Sequence, residues 1–373
     1  MKPMKKHMRR SLADRDGLQT LIASILCIIF GLLLGYVVLL IIDPTNAWDG
    51  MIAVLKNFMN YPGDASTRYL GQTLARSVPL LLCALSVLFA YKVGMFNIGV
   101  AGQFTGGACI ALYAALAWEC PWYVCIILAM LVAAFIGALA AVLKLAFNVN
   151  IVISGIMLNW ISLYLTNWIL TEVKNVSGPK TYPLLAKNPS AILPKMGLEE
   201  LFCNEKSVTI AIPVAVIVVI IVAVILSKTT FGYELKATGM NANAAKYAGM
   251  NEKRNIILAM AIAGALAGLG ATLLYLTDID QWQTTATSVP AVGFSGIAVA
   301  FLGGLNPFGT LFAALFIQHI TLGGGLLAAY NYPHEVASLI SSIIIYLCAF
   351  AGFFKYVLRN RFLKKATRGG NDE

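Results

Sequence analysis

The side chains best suited to chemistry in this chain are amides and aromatics set in apolar surroundings, and what they suit is recognition without covalent change. Asn97 and Gln103 lie in a glycine-rich run, YKVGMFNIGVAGQFTGGA, from Tyr91 to Ala108. Asn159, Trp160, Tyr164 and Asn167 lie in ISGIMLNWISLYLTNWIL, from Ile153 to Leu170. On a helix Trp160, Tyr164 and Trp168 fall on one face and Asn159 and Asn167 on an adjoining one. Aromatic planes beside amides suit a flat, hydrogen-bonding ligand such as a nucleobase. The alternative is that Trp168 belongs to an interfacial aromatic belt and the rest is packing.

A second cluster is polar and reads FGYELKATGMNANAAKYAGMNEKR, from Phe231 to Arg254. Asn241 is a good helix N-cap, the following residues are rich in alanine, and Gly249 stands where a left-handed C-cap ends a helix. The pattern predicts a stubby helix over 242–248, parallel to a membrane. Ala242, Ala244, Ala245 and Ala248 would give it a bare surface that another protein's groove can approach closely.

Other chemistries lack their residues. His7, His319 and His334 are scattered, and the seven cysteines form no Cys-x-x-Cys pair, so no metal centre is expected. A Cys120–Cys125 bridge is sterically conceivable, but nothing in the sequence argues for it. The nearest approach to a phosphate-cradling loop, Gly304 to Gly309 followed by Thr310, has no lysine. Uphill transport would therefore draw on an ion gradient or on a separate ATPase.

The elements that must carry these clusters are membrane helices. The chain is 59% hydrophobic and 12% charged, about half the usual charged share. Uncharged stretches run from Gly17 to Ile42, Val93 to Trp118, Leu145 to Thr171 and Ser207 to Ser227, and about 20 apolar residues cross a bilayer as a helix. The reading is an all-α polytopic membrane protein with about ten spans, at 18–42, 69–90, 95–117, 121–143, 151–171, 207–227, 255–277, 290–303, 308–328 and 336–356. A basic N-terminal segment, 1–17, and a basic tail, 357–373, flank a transmembrane domain over 18–356. The net charge of +10 then reflects topology, not nucleic-acid binding: Lys and Arg gather on the cytoplasmic side, which puts both termini and the 228–254 loop inside and the 172–206 loop outside.

Five glycines with Asn97 and Gln103 make a poor lipid-facing helix, and such segments occur at membrane depth only where protein or a water-filled cavity surrounds them. Gly102 and Gly106 form a Gly-xxx-Gly pair for close helix packing. Aligning Gly99–Gly107 with Gly296–Gly304 matches Gly99/Gly296, Ala101/Ala298, Phe104/Phe301, Gly106/Gly303 and Gly107/Gly304, the kind of correspondence that oppositely directed halves of inverted-repeat transporters show. Arg76 either lines a path or snorkels outward.

The sequence resembles the permease subunits of ATP-binding cassette (ABC) importers of the branched-chain amino acid, ribose and nucleoside group, most closely the nucleoside permeases. The motifs are FNIGVAGQ at Phe96–Gln103, ELKATGMNANAAKYAGMN at Glu234–Asn251, AIAGALAGLGA at Ala261–Ala271 and GFSGIAVAFLGGLNPFGT at Gly293–Thr310. Many members carry Glu where this chain has Ala101. The resemblance implies an inverted-repeat ABC permease architecture in the cell membrane and a coupling helix that docks on an ATPase, with Glu234, Lys236, Ala237, Gly239, Asn241, Asn243, Ala244, Ala245, Ala248 and Gly249 as its residues. The substrate pathway would draw on Asn97, Gln103, Asn159, Trp160, Tyr164 and Asn167. The implied partners are a second permease subunit, the ATPase subunits, which use ATP and Mg, an extracytoplasmic substrate-binding protein and membrane lipid. By its length and its side of the membrane, the outer loop from Glu172 to Lys206, with Pro179, Pro183, Pro189 and Pro194, is expected to be a landing surface for that binding protein. No cofactor is expected on this chain. Ribose-like sugars or branched-chain amino acids are the alternative substrates. An ion-coupled transporter would need an intramembrane carboxylate, which none of the expected spans contains, and a non-transporting scaffold would have no use for broken helices.

Overall fold

The computed structural model describes residues 16–175, 178–333, 335–348 and 350. The expected terminal segments 1–17 and 357–373 lie almost wholly outside them. In chain order the helices are α1 (Asp16–Ile42), α2 (Ala47–Lys56), α3 (Asp64–Lys92), α4 (Val100–Leu116), α5 (Trp122–Phe147), α6 (Ile151–Leu170) and α7 (Leu184–Lys187). There follow α8 (Ala211–Lys228), α9 (Thr230–Met240), α10 (Ala242–Tyr247), α11 (Glu252–Tyr275), α12 (Ala291–Leu302), α13 (Pro307–Gly323) and α14 (Glu335–Cys348). The described residues form no strand beyond isolated bridges such as Lys174 to Thr181.

Every expected span contains a helix, but 7 helical segments among the described residues, not ten, are long and apolar enough to cross a membrane. α4 and α12 are shorter, and α12 with its 12 residues reaches only about 18 Å of a hydrocarbon core about 30 Å thick. A tight turn joins α12 to α13. Gly304 and Leu305 adopt positive φ, Asn306 caps the next helix by accepting from the Phe308 and Gly309 amides, and Pro307 takes the first helical position. Gly303, Gly304, Asn306 and Pro307 thus break the uncharged run between Asp280 and Glu335 into two helices.

α3 and α11 run through the centre, with most of each buried. α8 shows how an all-apolar helix chooses its inward side. Ala211, Ala215, Val219, Val222 and Leu226 form a buried stripe at helical spacing, while Ile217, Ile220, Ile221 and Val224 stay exposed on the opposite side. α5 turns in a narrower stripe of Cys125, Ala129, Ala133, Gly137 and Ala140. Gly264 and Gly268 of α11 press against the Ala133 and Ala129 carbonyls there, so two backbones meet with almost no side chain between them.

The Gly-xxx-Gly pair of α4 serves two neighbours, not one. A Cβ on Gly102 would strike Asn159 of α6, and one on Gly106 would strike Ile136 of α5. The Gly99–Gly107 and Gly296–Gly304 segments occupy different places, the first at the start of α4 and the second at the end of α12 and its turn. Their match therefore marks two closely packed stretches and does not by itself establish an inverted repeat. Among the described residues three α-helices fall outside the expected spans and the expected 242–248 helix: α2 with the 3₁₀ turn Asn57–Asn60, and α7 and α9, which are helical where loops are expected.

The 172–206 segment is folded onto the membrane helices. The Asp278 carboxylate accepts from the Leu184 and Leu185 amides at 2.6 and 3.1 Å, the position where a helix start favours negative charge. Asn188 donates to the Ala115 and Cys120 carbonyls at 2.8 and 3.0 Å, closing the end of α4. Cys120 and Cys125 are both free.

Candidate functional site

α4 is not continuous with α3. After Lys92 the chain turns at Gly94, whose φ is +80°, and helix resumes only at Val100. Asn97 and Gln103 bracket this break and are 2% and 1% exposed. Their amides pair reciprocally: Asn97 Nδ2 donates to Gln103 Oε1 at 2.9 Å and Gln103 Nε2 to Asn97 Oδ1 at 3.1 Å. Asn159 enters from α6, accepting the Gly102 amide at 2.7 Å and donating to the Ile98 carbonyl at 3.1 Å. It thus satisfies a backbone acceptor of the non-helical lead-in and an amide in the first turn of α4, groups with no helical partner of their own.

The structure therefore brings Asn97, Gln103 and Asn159 together, engaged with one another and with backbone. Asn167 is held elsewhere, donating to the Ala286 carbonyl at 2.8 Å and accepting from Trp282 Nε1 at 2.9 Å. Trp160 and Tyr164 stack with ring centroids 6.0 Å apart, on an exposed face of α6 turned away from Asn159. The six residues do not form one cavity. Arg76 keeps its Nε buried without a hydrogen-bond partner among the described residues, so that atom has not snorkelled into water.

The polar segment between α8 and α11 is built as two short helices. Thr229 opens α9 by accepting from the Gly232 amide at 3.0 Å. Gly232, Leu235 and Thr238 form its buried side. Asn241 is extended and caps α10, accepting the Ala244 amide at 3.0 Å. α10 then ends in a Schellman turn: Met250 N–H donates to the Ala245 carbonyl and Gly249 N–H to that of Lys246, both at 3.0 Å, with Gly249 at φ +82°. The helix expected over 242–248 is present, but its alanines divide. Ala242, Ala244 and Ala248 are exposed, whereas Ala245 is 3% exposed and faces the chain's own core. Asn243 and Lys236 are also exposed, and Ala237 is half-buried.

Three contacts fix this segment to the membrane helices. Glu234 pairs with Arg254 of α11 at 3.4 Å. Thr238 accepts from buried Asn255 at 3.4 Å. A Cβ on Gly239 would collide with the Lys92 carbonyl and sit 3.0 Å from the Gly94 amide, so α9 touches the turn that leads into the break before α4. Composition did not single out Met240 and Tyr247, which are 89% and 93% exposed beside the bare alanines. Large apolar side chains in an otherwise polar loop were the available signal.

Among the described residues no group of three or more His, Cys, Asp or Glu could hold a metal ion. The family described as "Branched-chain amino acid transport system / permease component" matches residues 69–349. The chain is 33% identical over 341 residues to the Nucleoside ABC transporter permease protein NupB of Lactococcus lactis subsp. cremoris, covering 88% of this chain and 90% of the relative. It is 32% identical over 352 residues to the Guanosine ABC transporter permease protein NupP of Bacillus subtilis, covering 91% and 96%. It is also 28% identical over 366 residues to the Glucose ABC transporter permease protein TsgB13 of Haloferax volcanii, covering 93% and 91%. No solved structure matches. With the family matched from α3 to the end of α14, the chain belongs to the branched-chain amino acid transport system permeases and is a multi-pass membrane protein of that kind.

Proposed function

We propose that this chain is the membrane-spanning subunit of an ABC importer for nucleosides, moved by ATPase subunits that dock on α9 and α10. The observation that carries the mechanical part is the contact of Gly239 with the Lys92–Gly94 turn. A push on the docking segment reaches the broken start of α4 through backbone alone, without an intervening flexible side chain. The substrate assignment is supported by the nucleoside and guanosine permeases that the chain resembles over most of its length.

In this reading Tyr247 and Met240 are the anchors that enter the ATPase groove, and exposed Ala242, Ala244 and Ala248 let the groove close on them. ATP and Mg are used by the partner subunits, and their association rocks the helices between outward-open and inward-open states. A second permease subunit completes the pathway, and an external binding protein delivers substrate to the face bearing the 172–206 loop. Both termini are then cytoplasmic.

A sugar substrate is the second reading, favoured by the glucose permease relative. Uptake into vesicles carrying the chain with its co-purified ATPase and binding protein separates the two. Guanosine is taken up in preference to ribose, glucose and leucine if the proposal is right, and stimulation by a sugar or leucine alone overturns it.

A further inference from the structure

Beside the N-terminal half of α3, facing the end of α13, lies a cavity of about 230 Å³. Its walls include Asn57, Tyr61, Tyr69 and Gln72, and its floor is Leu322 and Leu326. It shares Tyr61, Tyr69 and Gln72 with a larger groove of about 860 Å³ that Arg68 and Glu205 also line. On the proposed orientation this end of α3 faces outward. None of the residues expected to line a substrate path lies here.

The cavity is chemically organised. Tyr61 and Tyr69 are stacked, 4.0 Å between centroids and 15° between planes. His319 Nε2 is 2.8 Å from the Leu55 carbonyl, which can only accept, so in the neutral ring that nitrogen carries the proton and Nδ1 is an acceptor. The Asn57 group 3.3 Å from Nδ1 is therefore its amide nitrogen, which also donates to Thr73 Oγ1 at 3.3 Å. Thr73 in turn gives its proton to the Tyr69 carbonyl at 2.8 Å. The Asn57 side chain is thus fixed with Oδ1 receiving no hydrogen bond from any described residue, although Asn57 is only 4% exposed. The half-buried Gln72 side-chain amide lines the same cavity and makes no hydrogen bond to another described side chain. One turn deeper on the same face of α3, Arg76 Nε is buried and unpartnered.

From this we infer that the cavity is a subsite for the base of an incoming nucleoside, an assignment that rests on the importer reading above. A flat ring extends the Tyr61–Tyr69 stack. Its N–H edge meets the fixed Asn57 acceptor, and the Gln72 amide supplies a neighbouring donor and acceptor, the pairing that amides make with base edges. No charged side chain lines the cavity itself, so it offers no counter-ion to the zwitterion of a free amino acid or to a nucleotide phosphate. Arg76 is the next donor met on moving inward.

The test uses the complete transporter in vesicles and a photoreactive azide of a purine nucleoside. Labelling should map to peptides spanning 57–73 and be suppressed by excess guanosine. Tyr69→Ala and Gln72→Leu should each reduce labelling and guanosine uptake about tenfold, and Tyr69→Phe should restore both. Co-purification with the ATPase subunit checks that the variants fold. If the native protein imports guanosine but labels elsewhere, or the two variants transport normally, the subsite is overturned and the importer reading stands. If the native protein imports no nucleoside, both fall.

Discussion

Asn159 joins α6 to α4 by holding the Gly102 amide and the Ile98 carbonyl, and its burial leaves water no access to replace it. Asn159→Leu strands both backbone groups and should lower stability by roughly 2 to 4 kcal/mol, read as a lower unfolding midpoint of the detergent-purified protein. Ala244 and Ala245 make a sharper pair, because they are adjacent yet one is exposed and the other buried. Ala244→Trp should leave expression and thermal stability unchanged and abolish co-purification of the ATPase. Ala245→Trp should fail earlier, through overpacking that costs roughly 1 to 3 kcal/mol. Equal behaviour of the two variants in both assays counts against the docking face. The sequence marked these residues as special but could not tell an amide that binds a ligand from one that caps a backbone. That distinction depends on what lies opposite, and the Gly102 amide is far from Asn159 in the chain.

Helices were largely legible because charge is excluded from the bilayer, so the uncharged stretches delimit α1, α5, α6, α8 and α11 to within a few residues, whereas α3 begins at Asp64, well ahead of its uncharged run, which follows Arg76. α2 was not, since a short amphipathic helix carrying Asp49 and Lys56 interrupts no apolar run. The inward half of the docking segment was also hidden, because the spacing of Gly232, Leu235 and Thr238 becomes a face only when α9 has α8 and α11 to lie against. Gly239→Val places a branched side chain against the Lys92 carbonyl. It should preserve membrane insertion, lower guanosine uptake at least tenfold and leave ATPase co-purification intact, which separates transmission from docking. Gly268→Leu acts at the centre, where a Cβ already meets the Ala129 carbonyl at 2.6 Å. It should prevent stable assembly of α5 with α11, seen as rapid proteolysis in membranes.

Taken whole, the described part of the chain is a helical core with the α9–α10 segment at one end and the folded 172–206 segment at the other. The general class was readable from composition and four motifs, whereas the number of full crossings was not, because α4 and α12 are apolar but short. A subunit driven by neighbouring ATPases should import guanosine in ionophore-treated cells and stop when vanadate is added. Uptake that collapses with the proton gradient and ignores vanadate contradicts that division of labour. The reciprocal Asn97–Gln103 amide pair has one more consequence. A helix interrupted inside a membrane invites a thread of solvent, and a solvent thread conducts protons. By clasping each other the two amides occupy the groups that would hold such a thread, so Asn97→Ala should raise the proton leak of vesicles carrying the subunit, and an unchanged leak would show that the pair has no sealing role.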